Sequence, residues 1–379
     1  MKHRTINNKS LVVYHYVPHY RKAVFEAMIN EGSFYVAAGE TTNNDIKVEV
    51  FDEKSQFTHS LTNIWLFKGL LWQRKLLSLV LKEQYQNVIF LASPYFISTW
   101  VAVLLVKIRG GKVLFWTHGF VRDNSFKERL KLRFLKLADC ILLYGDKAKK
   151  NLIHNGIEPR KLHAIYNSLD YDAQKVLREQ ITPSQLSATK SSLFIKPNCI
   201  QVLFIGRLTA HKKLHELILM LAKLRDENLS ANLLFVGDGA ERLNLEQLVH
   251  KHALEKHVTF YGACHDENEL ACLICSSDVC ISPGEIGLTA MHSLAYGVPV
   301  ITHDDERCQM PEFEAVIHGK TGWLFEHGSF CSLVETMRKF ISEPIPQVRQ
   351  NCIEEIESRY TPDKQLYFIK KAIKATYES

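Results

Sequence analysis

Residues 280–301 read CISPGEIGLTAMHSLAYGVPVI. An apolar run beginning at Val279 ends at Ser282 and predicts a short buried strand. Pro283, Gly284, Glu285, Ile286 and Gly287 make a loop, and a helix opens near Leu288. Gly297 and Pro299 stop that helix and lead into a further strand, Pro299–Thr302. Strand, loop, helix and strand in this order form a βαβ unit, which implies a parallel sheet. The small residues of the loop let backbone approach a ligand. The helix amino terminus offers N–H groups and a positive dipole end to an anion.

Two upstream turns repeat the arrangement. In FIGRLTAHKK (204–213) a strand ends at Ile205, Gly206 turns the chain, and Arg207 and Lys212 emerge at the sheet edge. An arginine fork beside a lysine point charge suits a diphosphate. In FVGDGAERL (235–243) Gly237, Asp238 and Gly239 link a strand to a helix; the turn could meet a base or ribose, or be only a well-made turn. Each turn alone is weak; three on one α/β segment converge on a site at the carboxyl ends of the strands.

Outward from this segment the alternation continues. Strands are predicted at 201–205, 232–236, 258–261, 279–282, 299–302 and 323–325, and before them at 11–16, 34–38, 48–51, 88–92, 113–117, 140–144 and 163–166. Helices are predicted at 213–226, 241–252, 267–275, 288–296, 332–341 and 362–376. The polar stretch 181–198 reads as a linker. The 379 residues therefore divide into an amino domain (1–190) and a carboxyl domain (191–361), both doubly wound, with 362–379 a candidate to pack back on the first.

Composition narrows the class. Hydrophobic residues are 46% and charged residues 23%, which excludes wholesale disorder, collagen and coiled coil. The nine cysteines show no disulfide framework and read as reduced thiols; Cys272 and Cys275 form a C-x-x-C without the turns a zinc site needs. The amino end does not read as a signal peptide, because its short apolar run is broken by His15 and Pro18. The thirteen residues Phe96–Ile108 are too few to cross a bilayer and predict a buried helix. Residues 1–200 carry a net charge of +13 and residues 201–379 one of −7. The basic amphipathic run 125–139, SFKERLKLRFLKLAD, suits either solvent or an anionic membrane surface. No nucleic-acid-binding motif is present.

Residues 201–342 resemble the retaining GT-B glycosyltransferases of family 4, through GRLTAHKK, FVGDG, GLTAMHSLAYGVPVI and HGKTGWLF. Residues 1–200 resemble them more loosely, through VPHYRKAVFEAM (17–28), WTHGF (116–120) and IYNSLD (165–170). The resemblance implies a GT-B fold, two Rossmann-like domains facing across a cleft. It also implies sugar transfer from a nucleoside diphosphate sugar, with retention, to a glycan or polyprenyl-linked acceptor. No metal or other cofactor is expected. The setting it suggests is bacterial surface polysaccharide synthesis (O-antigen, capsule or exopolysaccharide) in the cytoplasm, peripheral on the inner membrane face.

Carried over by position, Arg207 and Lys212 match the basic pair on the donor diphosphate, and Gly287 and Leu288 the glycine-rich donor loop and its helix. His118 matches the histidine facing the transferring sugar. Gly206, Asp238, Gly284, Ile286 and His292 are candidates for the donor sugar or nucleotide, and Glu285 for a catalytic contact with sugar hydroxyls. His19 and Arg21 are candidates on the acceptor side. The chain departs from the family at its paired glutamates: the first position holds Gly284, with Glu285 one place later, and the second holds His292. A sugar-nucleotide epimerase of the same architecture and a silent nucleotide-sugar-binding subunit are the competing readings.

Overall fold

A computed structural model describes residues 9–39, 48–49, 56–119, 121 and 125–378. It divides into two compact units, Met1–Asp170 with Pro362–Ser379, and Tyr171–Thr361.

The first unit is built on an eight-stranded sheet. Its strands are β1 (Ser10–Tyr14), β2 (Phe34–Gly39), β3 (Thr58–Leu66), β4 (Leu70–Arg74), β5 (Asn87–Leu91), β6 (Lys112–Thr117), β7 (Cys140–Leu143) and β8 (Leu162–Ala164). Their spatial order is β8-β7-β6-β5-β1-β2-β3-β4, parallel except for β4 against β3. Alternate side chains enter two cores, as strands buried on both faces require. Val13, Phe90, Phe115 and Ile141 meet the helices Leu76–Lys82, Ile97–Ile108, Phe126–Leu135 and Asp146–His154 on one face. Val12, Ile89, Leu114 and Trp116 meet the helices Lys22–Glu31 and Pro362–Glu378 on the other.

The last helix is fixed by the segment IYNSLD. Gln365, fully buried, donates to the Tyr166 carbonyl at 2.5 Å and accepts from the Ser168 hydroxyl at 2.7 Å. That motif therefore holds structure in this chain.

The second unit has a six-stranded, wholly parallel sheet: β9 (Ile200–Ile205), β10 (Ala231–Val236), β11 (Val258–Gly262), β12 (Val279–Ser282), β13 (Val300–His303) and β14 (Gly322–Phe325). The order β11-β10-β9-β12-β13-β14 reverses direction between β9 and β12. That reversal is the topological switch point of a doubly wound fold, where the loops leaving two adjacent strands part and open a crevice.

Four readings of the sequence are corrected. The division falls at 170/171, not 190/191. The helices Tyr171–Gln180 and Pro183–Leu193 belong to the second unit, where the Gln174 amide donates to Glu267 and the Thr259 hydroxyl to the Leu193 carbonyl. The supposed linker 181–198 is largely the second of these helices, started by a capping box of Thr182 and Gln185 with Pro183 in the first turn. The hairpin β3–β4 was not anticipated, and the predicted strand 48–51 is described only at Val48–Glu49, paired with Val17–Pro18. The helix Ile97–Ile108 is buried on one side only: Ser98, Ala102, Val103 and Val106 are covered, whereas Leu104 and Ile108 are exposed.

Candidate functional site

The crevice of the second unit is framed by the loops after β9 and β12. Their backbones meet directly. The Gly284 N–H donates to the Lys212 carbonyl at 3.0 Å, and a Cβ at Gly284 would stand 2.3 Å from the His211 carbonyl oxygen. Gly284 is therefore required by close approach. The backbone packing leaves no room for a side chain at this position.

Glu285 faces the basic loop instead. Its carboxylate lies 3.6 Å from the Lys212 ammonium and 3.5 Å from the His211 ring, and its carbonyl accepts from Lys212 at 2.8 Å. Burial pushes the Lys212 pKa down, and Glu285 partly offsets this. Arg207 is exposed at the same edge. Gly206 precedes it, beside the Thr289 hydroxyl, which donates to the Ile205 carbonyl at 2.9 Å. Thr289 thereby ties the first turn of the helix Leu288–Ala295 to the end of β9. Gly287 is the helix N-cap and makes no side-chain cap, so the first-turn N–H groups at Leu288 and beyond have no side-chain acceptor of that kind.

The rest of the loop is strapped from below. Ile286 is buried, and its N–H donates to Gln309 Oε1 at 2.7 Å. Gln309 Nε2 donates to the Thr302 hydroxyl and the His303 carbonyl, both at 2.9 Å, and Thr302 donates to the Ser282 carbonyl at 2.9 Å. Ile286 thus contributes backbone and not a ligand-facing side chain. Sequence reading missed Gln309, because a glutamine in an irregular stretch carries no signal of its long-range bond.

Asp238 serves its own turn. It accepts from the Gly239 N–H at 2.7 Å and pairs with Arg242 at 3.4 Å. His292 sits partly buried on the helix Leu288–Ala295. Among the described residues, the metal-ligand types that gather are Asp305, Cys308 and His327, within 4.8 Å of one another. Cys272 and Cys275 are not in that group, and the nine cysteines are free.

The first unit gathers its candidates at the carboxyl ends of β1 and β6. The His118 ring lies 4.8 Å from that of Tyr144. Packing around the ring, helped by Arg21 and Lys131, lowers its pKa to about 4, although the residue as a whole is exposed. Arg21 is a correction: it is buried, its guanidinium 4.8 Å from the Tyr144 ring and 5.6 Å from Trp116, so it supports the site from within. His19 is exposed in the turn before it. His15, which the sequence presented only as a break in an apolar run, stands just after β1 against Phe96, ring centroids 5.4 Å apart. The sheet order reverses there, between β1 and β5. Burial holds His15 down to about 4 as well.

His303, also held down to about 4 by burial with His327 and Lys213 adding to it, makes a third such imidazole. The folded protein binds the protons of His15 and His303, which are the covered ones, only near pH 4, whereas the unfolded chain binds them near 6.5. The stability they contribute is complete above pH 6.5 and is lost as pH falls toward 4. The urea midpoint should therefore drop between about pH 7 and about pH 4.5, and less steeply in His303→Asn. A midpoint flat across that range would refute the assignment.

Residues 188–359 match the family model described as glycosyl transferases group 1. The chain is 28% identical over 153 residues to a glycogen synthase of Mycobacterium tuberculosis, covering 40% of this chain and 36% of that protein. It is 32% identical over 136 residues to a GDP-mannose-dependent alpha-(1-6)-phosphatidylinositol dimannoside mannosyltransferase of the same species, covering 32% and 35%. The chain thus spans about a third of the length of these relatives. Among solved structures it resembles Anabaena Alr3699/HepE in complex with UDP, with TM-score 0.73 and 17% identity over 97% of this chain and all of that one. Residues 188–359 are thus similar to the group 1 glycosyl transferases, in a chain whose two α/β units have the GT-B fold.

Proposed function

We propose that the protein transfers a sugar from a nucleoside diphosphate sugar to a glycan or lipid-linked acceptor, with retention, in the synthesis of a bacterial surface polysaccharide. The observation that carries this reading is the seat of Lys212 on the loop 284–287 at the start of the helix Leu288–Ala295, with Arg207 exposed beside it at the end of β9. Two cations and a helix amino terminus meet the charge that grows on a departing diphosphate, and the step calls for no metal. Lys212 is preorganised by Glu285, which gives up part of that contact to the incoming phosphate. Glu285 is then free to take hydrogen bonds from sugar hydroxyls. His118, neutral at physiological pH, can accept a hydrogen bond but brings no charge to the sugar.

A nucleotide-sugar donor is also what the family match and the UDP in the HepE structure favour. The name of the phosphatidylinositol dimannoside mannosyltransferase offers a precedent for a lipid acceptor. We assign acceptor recognition to the first unit, at His19 and the His15–His118 edge. We place the protein in the cytoplasm, peripheral on the inner face of the membrane, with the basic helix Phe126–Leu135 toward anionic lipid. Among the described residues no helix is long and apolar enough to cross a membrane.

The test is thermal denaturation with UDP-, GDP-, dTDP- and CMP-sugars. Saturating donor at about a hundred times its Kd should add about 2.7 kcal/mol of stability. One nucleotide class should raise Tm in the wild type and not in Arg207→Ala. Stabilisation that persists in the variant would move the donor away from this loop. Donor turnover without any acceptor would favour the epimerase, and donor binding with no transfer to any acceptor the silent subunit.

A further inference from the structure

The helix Ile97–Ile108 presents Val101, Leu104 and Ile108 outward, 36%, 58% and 82% exposed. Spaced by three and four residues, they form one stripe, opposite the buried stripe of Ala102, Val103 and Val106. The stripe continues onto neighbouring elements. The helix Leu76–Lys82 packs alongside and adds Leu81, 55% exposed. On the same face of the sheet, Trp100 packs against Phe134, ring centroids 4.5 Å apart, and brings in the helix Phe126–Leu135, whose Phe126 is exposed. A soluble protein rarely leaves large aliphatic side chains in such a row without a partner.

Exposed cations rim this layer: Lys82, Arg109, Lys127, Arg129 and Arg133. The acids close by are Glu83, Glu128 and Asp139. Asp139 is paired with Lys107 at 3.2 Å and Glu128 with Lys131 at 3.5 Å, so the face stays net positive. An apolar stripe inside a basic rim matches the acyl boundary and headgroups of an anionic bilayer. A second copy of the same face, related by a twofold axis, would instead bring two basic rims together.

We infer that this helical layer is the lipid-docking face of the protein, with Val101, Leu104 and Ile108 entering the bilayer boundary and Lys82, Arg109, Lys127 and Arg129 engaging anionic headgroups. The segment that reads as a buried helix in sequence is therefore the one that inserts, and the basic helix beside it supplies charge. This inference rests on the membrane placement proposed above and names the face that makes it; it concerns the first unit alone, so its failure would leave the sugar-transfer reading of the second unit standing.

The test is co-sedimentation of the full chain with vesicles of phosphatidylcholine alone and of phosphatidylcholine with phosphatidylglycerol. The wild type should bind the anionic vesicles, and more weakly as salt rises. Leu104→Glu/Ile108→Glu should lose at least about tenfold in binding with Tm unchanged, because both sites are exposed. Leu104→Gln alone should lose about fivefold and keeps the test readable if the double variant fails to fold. Lys82→Gln/Arg109→Gln should lose about tenfold on anionic vesicles. Absence of wild-type binding, or binding undiminished in the Leu104 variants, would overturn the inference. So would a dimer that these variants convert to monomer with no effect on vesicles.

Discussion

Arg207→Ala is expected to lower kcat/KM for sugar transfer by about 10²–10³-fold while leaving Tm of the unliganded protein unchanged. The asymmetry comes from geometry. Arg207 is exposed at the end of β9 and its charge is available to a ligand. Removing it costs the transition state a cation where charge on the diphosphate is greatest, and costs the resting fold little. Lys212→Ala should differ. Lys212 donates to the Glu285 carbonyl at 2.8 Å and faces the Glu285 carboxylate at 3.6 Å, so it also holds the loop that leads into the helix Leu288–Ala295. Its loss should cut turnover at least as much and also lower stability, by about 1 kcal/mol. Steady-state kinetics with the donor that the Tm panel selects, together with urea titration of both variants, read the two effects separately. Arg207→Ala turning over within twofold of the wild type would remove Arg207 from the donor site. Equal stability of the two variants would remove the structural role given to Lys212.

How much of this was legible in sequence depended on the range of the interactions involved. The three glycine turns and the βαβ alternation are local, set by strand length, turn residues and helix stops, and their places in the second unit were readable in advance. So were Arg207 and Lys212, which need only lie just past a strand. Contacts that close over long separations were not readable. Gln309 reaches back 23 residues to Ile286, and Gln365 reaches back 199 to Tyr166. Neither residue type announces a partner. Composition also misled. The Ser/Thr-rich stretch 181–198 looked like a linker, yet Thr182, Pro183 and Gln185 are a helix start. Arg21 looked like a surface cation beside the acceptor, yet Trp116 and Tyr144 cover its guanidinium. Periodicity alone does not tell whether the second side of an apolar helix has a neighbour, which is why Phe96–Ile108 read as buried throughout.

Gly284 gives the second large expected effect. If position 284 had room for a carboxylate, Gly284→Glu would be tolerated and would strengthen donor binding. The backbone predicts the reverse. A Cβ at 284 would meet the His211 carbonyl oxygen at 2.3 Å, the Lys212 Cα at 2.7 Å and the Lys212 carbonyl carbon at 3.0 Å. All three are main-chain atoms, so no rotamer change relieves the overlap, and the loops after β9 and β12 would have to part. That separation breaks the 3.0 Å bond from the Gly284 N–H to the Lys212 carbonyl and displaces Lys212 from Glu285. Gly284→Ala is the sharper test, because it adds only the offending carbon. It should lose about 3 kcal/mol or more of stability by urea denaturation, and Gly284→Glu no less. Both should abolish the rise in Tm caused by the nucleotide sugar, since the cation and the helix end no longer address one phosphate. If Gly284→Ala were as stable as the wild type and still responded to donor, the two loops would not be in the contact described. Glycine at 284 would then not be required by space. With the contact as described, position 284 is given over to backbone packing, and the carboxylate of the loop stands one residue along, at Glu285, where it pairs with Lys212 and His211.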